Sequence, residues 1–234
     1  RTFGRGGIHP GPHKEATSGR VIEAIAPPGE VVLPLLQHLG EPAEPTVKKG
    51  ELVRRGQQIA SGGATGVPLH ASISGKVRPL EKRSHPTLGM APAIAIAADP
   101  AAGPEIEYTL DEAWLSLPRE EALARIRDAG IAGLGGAAFP TWRKLAAVSA
   151  SGVDTLVVNG AECEPYLTSD HRLMLAWPRE IVEGSLALAR VAGASRVLIG
   201  VESDKPDAID LLCEAIEAVG PGPMQASVVP CLAR

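Results

Sequence analysis

Hydrophobic positions in the first hundred residues come in short runs broken by Gly and Pro, the pattern of an all-β segment. The sharpest stretch runs from Val47 to Ala60. It holds two similar units that end in Gly50 and Gly56, each suited to a turn that needs positive φ. Val67 to Val77 predicts a second strand–turn–strand, and Ala93 to Ala98 is a strand-sized apolar run. Ala97 to Glu105 reads as a linker. Beyond it the period changes. Ser116 can cap a helix with Pro118 in its first turn; Ala122, Leu123, Ile126 and Ala129 then have helical spacing, and Gly130 ends it. Strands are expected at 155–158, 196–201 and 226–229. Helices are expected at 178–192, closed by Gly193, and at 206–219, capped by Ser203 or Asp204 and stopped by Gly220. The fold class is therefore β plus α/β. A β-rich domain over residues 1–104 precedes an α/β domain over 105–234, whose parallel sheet is covered by helices. That sheet is expected to continue past Arg234.

Composition narrows the function. The 234 residues carry 23 Lys+Arg and 27 Asp+Glu, a net charge of −4. That mild acidity argues against a globally basic nucleic-acid binder. With 3% aromatic residues there is little to stack bases on. Hydrophobic residues at 44% and charged residues at 21% suit a packed soluble domain. Cys163, Cys213 and Cys231 stand far apart without a C-x-x-C pair, so neither a zinc site nor an iron–sulfur cluster is expected from this chain. No apolar run approaches the roughly 20 residues that cross a bilayer, so any membrane contact is expected to be peripheral. The chain starts without Met and closes on an apolar run, and is expected to be part of a longer protein.

Two segments carry candidate chemistry. Gly130-Ile-Ala-Gly-Leu-Gly-Gly-Ala-Ala-Phe-Pro-Thr141, followed by Lys144, clusters glycines that let backbone N–H groups approach an anion. A helix starting near Pro140 would add its N-terminal dipole, and Lys144 could neutralise a phosphate or a reduced flavin. The spacing is not the standard dinucleotide fingerprint. A plain Gly-rich helix–helix turn is the other reading. The second segment, Asn159-Gly-Ala-Glu-Cys-Glu-Pro-Tyr-Leu-Thr-Ser-Asp170, follows a strand, where ligands of open α/β sheets bind. Glu162 and Glu164 could accept hydrogen bonds from ribose hydroxyls or a flavin N–H, although Asn-Gly and Glu-Pro also make ordinary turns. His9, His38 and His70 lack ligand spacing for a metal. Lys48, Lys49, Arg54 and Arg55 form a basic hairpin, either a solvated edge or a docking point for an acidic partner or anionic surface.

These motifs carry resemblances. The Val47–Val77 spacing resembles the biotinyl/lipoyl hammerhead, but the intervening Ser61-Gly-Gly-Ala-Thr-Gly66 lacks the Lys that such carriers modify. Gly133 to Thr141 with Lys144, then Asn159 to Pro165 and Asp170, resemble the flavin- and NADH-binding module of the NADH-binding flavoprotein subunit of complex I. Gly6-Gly-Ile-His-Pro10, Pro34 to Gly40 and Gly50 to Ile59 resemble the RnfC family, the C subunits of Rnf ion-translocating electron transport complexes. The resemblance implies a barrel-sandwich-hybrid domain followed by a partial Rossmann-like domain. It implies that Gly133, Gly135, Gly136, Lys144, Asn159 and Glu162 line a non-covalent FMN pocket. Phe139, Lys144 and Glu164 would lie where NADH approaches, and no side chain would be catalytic in its own right. Two 4Fe–4S clusters would belong to segments beyond Arg234. Partners would be the other Rnf subunits, above all the ferredoxin-like iron–sulfur subunit, at the cytoplasmic side of the bacterial inner membrane. Three positions depart from the pattern. Ala138 replaces a usual Gly, Trp142 a small residue and Ala161 an acidic one. The alternatives are a docking scaffold that has lost its cofactor, or a flavin-dependent cobalamin reductase.

Overall fold

The computed structural model describes residues 11–108, 114, 116–134, 137–148, 152–220, 222 and 224–231. Chain contacts gather into two compact units: residues 25–150, and residues 1–24 together with 151–234. The helices at 119–148 thus group with the β-rich part, whereas the sequence pattern places the division after residue 104.

The first unit contains β1 (Glu30–Pro34), β2 (Glu44–Pro45), β3 (Leu52–Val53), β4 (Gln58–Ser61), β5 (Leu69–His70), β6 (Gly75–Val77), β7 (Glu81–His85) and β8 (Gly89–Ala98). All pairings are antiparallel. One sheet runs β1-β8-β6-β3, with β7 also on β8; a second runs β2-β4-β5. Val53, Val77, Ile94 and Ile96 from the first sheet meet Ile59, Ala60 and Leu69 from the second in one apolar core. Both turn glycines, Gly50 and Gly56, take φ of +87° as their spacing predicts. Gly75 is required for a different reason: a Cβ there would sit 2.1 Å from the carbonyl oxygen of Ala97, so β6 and β8 approach too closely for any side chain. The expected linker is shorter than its composition suggests. Ala97 and Ala98 still pair within the sheet, and the chain leaves through a single turn at 100–102 capped by Asp99.

Two helices complete this unit, α1 (Arg119–Asp128) and α2 (Thr141–Val148). α1 starts with Pro118 at the capping position, two residues after Ser116. Gly130, at φ +73°, ends it in close packing: a Cβ would lie 2.8 Å from the Pro68 carbonyl oxygen. The sequence marks Gly130 as a helix stop; its close approach to the Pro68 carbonyl and the His70 ring comes only with the fold.

The second unit holds β9 (Thr155–Asn159), α3 (Ser169–Ala176), α4 (Pro178–Ala192), β10 (Arg196–Glu202), α5 (Pro206–Val219) and β11 (Gln225–Cys231). The strands are parallel in the order β11-β10-β9. Strand–helix–strand alternation favours this arrangement, because a parallel neighbour needs a crossover long enough to hold a helix. α4 and α5 have the bounds their periodicity predicts, and Gly193 closes α4 in the left-handed region. The N-terminal cap of α5 is Lys205, not Ser203 or Asp204, because β10 continues to Glu202 and the turn takes the next residues. Val197, Ile199 and Val201 are buried, whereas Val157 and Val229 on the alternate positions are 67% and 40% exposed. Among the described residues the sheet is thus covered by helices on one face. The other face mixes Val157, Leu198 and Val229 with polar positions such as Thr155, Asn159, Arg196 and Ser227. α3 was not anticipated; Met174 is its one buried residue, so no apolar stripe announced it. No described helix is long and apolar enough to cross a membrane.

Candidate cofactor-binding loops

The glycine segment forms a tight hairpin leading into α2. Gly133 N–H donates to the Phe139 carbonyl (2.9 Å), and Thr141 N–H donates to the Ile131 carbonyl (3.1 Å). Ala132 and Pro140 bridge between them. Gly133 and Leu134 are exposed at the tip, and Lys144, one turn into α2, projects into solvent. The guanidinium of Arg143 stacks on the Phe139 ring at 5.5 Å. One face of that ring is therefore covered by a cation. Gly135 and Gly136 lie outside the described residues.

The departures from the family pattern have structural meanings here. Ala138 sits at φ +44°, where an L-residue is strained and Gly is not. Its carbonyl accepts from Leu39 N–H (3.1 Å). Trp142 turns its indole N–H onto the Gly66 carbonyl (2.9 Å), bracing α2 against the glycine-rich turn after β4. Its bulk is thus used to join elements of this unit. That turn is packed from within as well: His38 accepts from Val67 N–H at 3.3 Å and is nearly fully buried. His38 is a core hydrogen-bonding residue. Burial lowers the pKa of His70, with the Asp128 backbone opposing. Among the described residues no group of three or more His, Cys, Asp or Glu is placed to hold a metal; His9 lies outside them.

The acidic segment follows β9 in the other unit. Asn159 uses its side-chain oxygen to accept from Ala161 N–H (3.1 Å), a local turn that carries the chain off the strand end. Gly160 is buried against the Gly200 carbonyl, 2.8 Å from where a Cβ would lie. Glu162 points inward and is 2% exposed. Its Oε1 accepts from Asp170 N–H (2.9 Å) and Ser169 Oγ (3.0 Å), capping α3 from outside the helix. Acceptors at a helix N-terminus satisfy otherwise free N–H groups and complement its dipole. The residue read from sequence as a cofactor ligand is therefore used, on this side, to build the loop. Its Oε2 is buried without a hydrogen-bond partner. Glu164 is exposed and open to a ligand.

Three groups that sequence reasoning did not single out complete this environment. The Glu202 carboxylate at the end of β10 accepts from Glu162 N–H (3.1 Å) and forms a buried ion pair with Lys205. Burial opposes the Lys205 charge, but Glu202 and Asp204 outweigh it and hold its pKa above the ordinary lysine value. Lys14 donates to the Glu162 carbonyl, with its ammonium 3.9 Å from Oε2. Burial, then Glu162 and Glu164, push the Asp170 carboxyl above the usual range, and Lys14 pulls the other way. Only proximity could reveal Lys14, which stands 148 residues from Glu162.

The acidic site can offer carboxylate oxygens to N–H and O–H donors. The glycine site can offer exposed backbone and the Lys144 charge to an anion. Both loops lie within the span, residues 126–231, that matches the family model described as Nuo51 FMN-binding domain. Residues 2–101 match the model described as RnfC barrel sandwich hybrid domain. The C subunit of the proton-translocating ferredoxin:NAD(+) oxidoreductase complex of Clostridium ljungdahlii is 39% identical, over 91% of this chain and 47% of that protein. The C subunit of the Erwinia tasmaniensis ion-translocating oxidoreductase complex is 41% identical, over 90% of this chain and 26% of that protein. Its counterpart in the Na(+)-translocating ferredoxin:NAD(+) oxidoreductase complex of Acetobacterium woodii is 40% identical, over 91% of this chain and 48% of that protein. The chain thus spans about half the length of these relatives, or less. None of these similarities supports the cobalamin-reductase alternative.

Proposed function

The chain belongs to the RnfC family, and on that premise we propose that it is the NADH-oxidising flavoprotein module of a membrane-bound electron transport complex that couples NADH/ferredoxin electron transfer to ion translocation. The observation that carries this reading is the single FMN-binding-domain span that runs through both candidate loops.

The residues present fit such a cofactor. Exposed Gly133 leaves the hairpin backbone accessible, and Lys144 has no ion pair among the described residues, so an FMN phosphate would meet an uncommitted cation. Gly135 and Gly136 are assigned to the same cradle by their place in the motif. Asn159 and Glu164, at a strand end, would accept from hydroxyl and N–H donors. Glu162 would act from beneath, holding that loop in shape. Phe139, its far face stacked by Arg143, would offer an apolar wall where NADH approaches. Bound FMN supplies hydride acceptance from NADH and release of single electrons; the protein supplies binding, orientation and charge.

In this reading the flavin- and NADH-binding segments fall within residues 105–234 of the sequence, and the chain works with the other subunits of such a complex. These would include the ferredoxin-like iron–sulfur subunit, on the cytoplasmic face of the inner membrane. Two 4Fe–4S clusters are assigned to the part of such proteins that this chain does not cover.

The test is the visible spectrum of the intact native protein, purified without oxygen, before and after NADH. A flavin band that bleaches establishes the module. Absence of flavin, or flavin left oxidised by NADH, moves the assignment to a docking scaffold.

A further inference from the structure

The N-terminal segment around residues 12–18 lies against the acidic loop inside the same compact unit. Tyr166 N–H donates to the Pro12 carbonyl at 2.8 Å. The His13 and Tyr166 rings stack at 5.2 Å with a 16° angle between planes. Both residues hold positive φ, +47° and +68°, a conformation that L-residues keep only when surrounding contacts impose it. Lys14 reaches the Glu162 carbonyl, and Arg172, from α3, donates to the Ser18 carbonyl at 3.0 Å. On the opposite side of residue 162, the backbone N–H is held by the buried Glu202 carboxylate, itself neutralised by Lys205.

We propose that residues 12–18 are a strap that sets the shape of the cofactor loop, with Lys14 as a positioning residue opposite Glu202. The two charged side chains grip the backbone before and after Glu162. The turn Cys163-Glu164-Pro165, with its exposed carboxylate, is thereby held in one place. Charge-assisted hydrogen bonds are about twice as strong as neutral ones, and here one lies on each side of a single residue. Lys14 also has an electrostatic task. Glu162, Glu164 and Asp170 put three carboxylates in one loop, and Lys14 opposes their repulsion at Asp170. A side chain from the start of the chain thus completes a site whose motif lies some 150 residues on. The strap's contact with the loop is geometric; its bearing on FMN rests on the function proposed above.

The experiment uses the intact native protein and Lys14→Met, which keeps the stem and removes the charge. Two quantities are read: hydrogen exchange of the backbone amides of residues 162–164, 166 and 167, and the dissociation constant of FMN. Lys14→Met should speed exchange in the loop at least tenfold and weaken FMN about tenfold, the scale of one charge-assisted hydrogen bond. Lys14→Arg should restore both. Arg172→Met, which frees the strap at Ser18 without touching the loop backbone, should move both readouts the same way. Unchanged FMN affinity in Lys14→Met, with flavin bound normally by the unsubstituted protein, overturns the positioning role. Should the unsubstituted protein bind no FMN, the functional reading fails on its own account. Loop exchange then decides the strap: faster in Lys14→Met upholds it, and unchanged overturns it.

Discussion

Lys144 and Ala138 stand a few residues apart and call for opposite treatments. Lys144 is an exposed charge with no ion pair among the described residues. Reversing it with Lys144→Glu should cost nothing in folding, yet weaken FMN retention tenfold or more by placing an anion beside a phosphate. Fluorescence titration of flavin checks this, and unchanged affinity would remove Lys144 from the cofactor's reach. Ala138 has the reverse character. At φ +44° its methyl is tolerated at a conformational cost that glycine avoids. Ala138→Gly should therefore stabilise the protein, by about 0.5–1 kcal/mol, with glycine's larger unfolded-state entropy offsetting part of the relief. A Tm that falls would show that the surrounding hairpin had already absorbed the strain. Trp142 belongs with structure too. Trp142→Phe keeps an aromatic side chain but loses the N–H donated to Gly66, and chemical denaturation should show a loss of about 1 kcal/mol or more.

Among the helices of the second unit, α3 buries a single side chain, Met174, where α4 and α5 bury several, and polar ties help to hold it. Glu162 caps its start, and His171 reaches Asp207 of α5 at 3.0 Å. Burial raises the Asp207 pKa, but hydrogen bonds from His171 and from Ala208 N–H outweigh it, so the net direction is down. A carboxyl whose folded pKa is depressed contributes stability that is full above its unfolded pKa. That stability is lost as pH falls through the folded value. The α3–α5 tie should therefore hold at neutral pH and weaken below about pH 4, the ordinary Asp range. Amide exchange along α3 should quicken there, relative to α4, and Asp207→Asn should abolish that acid-dependent difference. The β elements instead depend on close backbone approach. Gly75→Ala would drive a methyl into the Ala97 carbonyl, and should separate β6 from β8 and lower Tm sharply.

For the molecule as a whole, the cysteine count makes a prediction that does not depend on flavin. Cys163, Cys213 and Cys231 are three thiols with no close spacing, in a chain that spans about half or less of its relatives. Anaerobic reconstitution of a protein of this sequence with iron and sulfide should give no cluster absorbance, and a stoichiometric cluster would overturn the assignment of iron–sulfur chemistry to other segments.

What the sequence determined by itself was local or repetitive. The bounds of α4 and α5 follow from apolar spacing and a following glycine, and the turns at Gly50 and Gly56 from the need for positive φ. The order of β and α/β segments follows from the change of period near residue 105. The candidate loops were legible because glycine clusters and paired carboxylates are unusual in composition, wherever they fold. Tertiary structure alone decided how those residues are used. Glu162 reads as a ligand along the chain, but it faces inward because the free N–H groups of α3 lie beside it. Trp142 stands out along the chain only as a bulky residue in place of a small one, but its N–H is spent on Gly66. Lys14, Glu202 and Lys205 carry no motif. Their role arises from neighbours far away in sequence, and a hydrophobic pattern of short period holds no record of such pairings. One-dimensional periodicity reports which side of an element is buried; it does not report which charged group waits there.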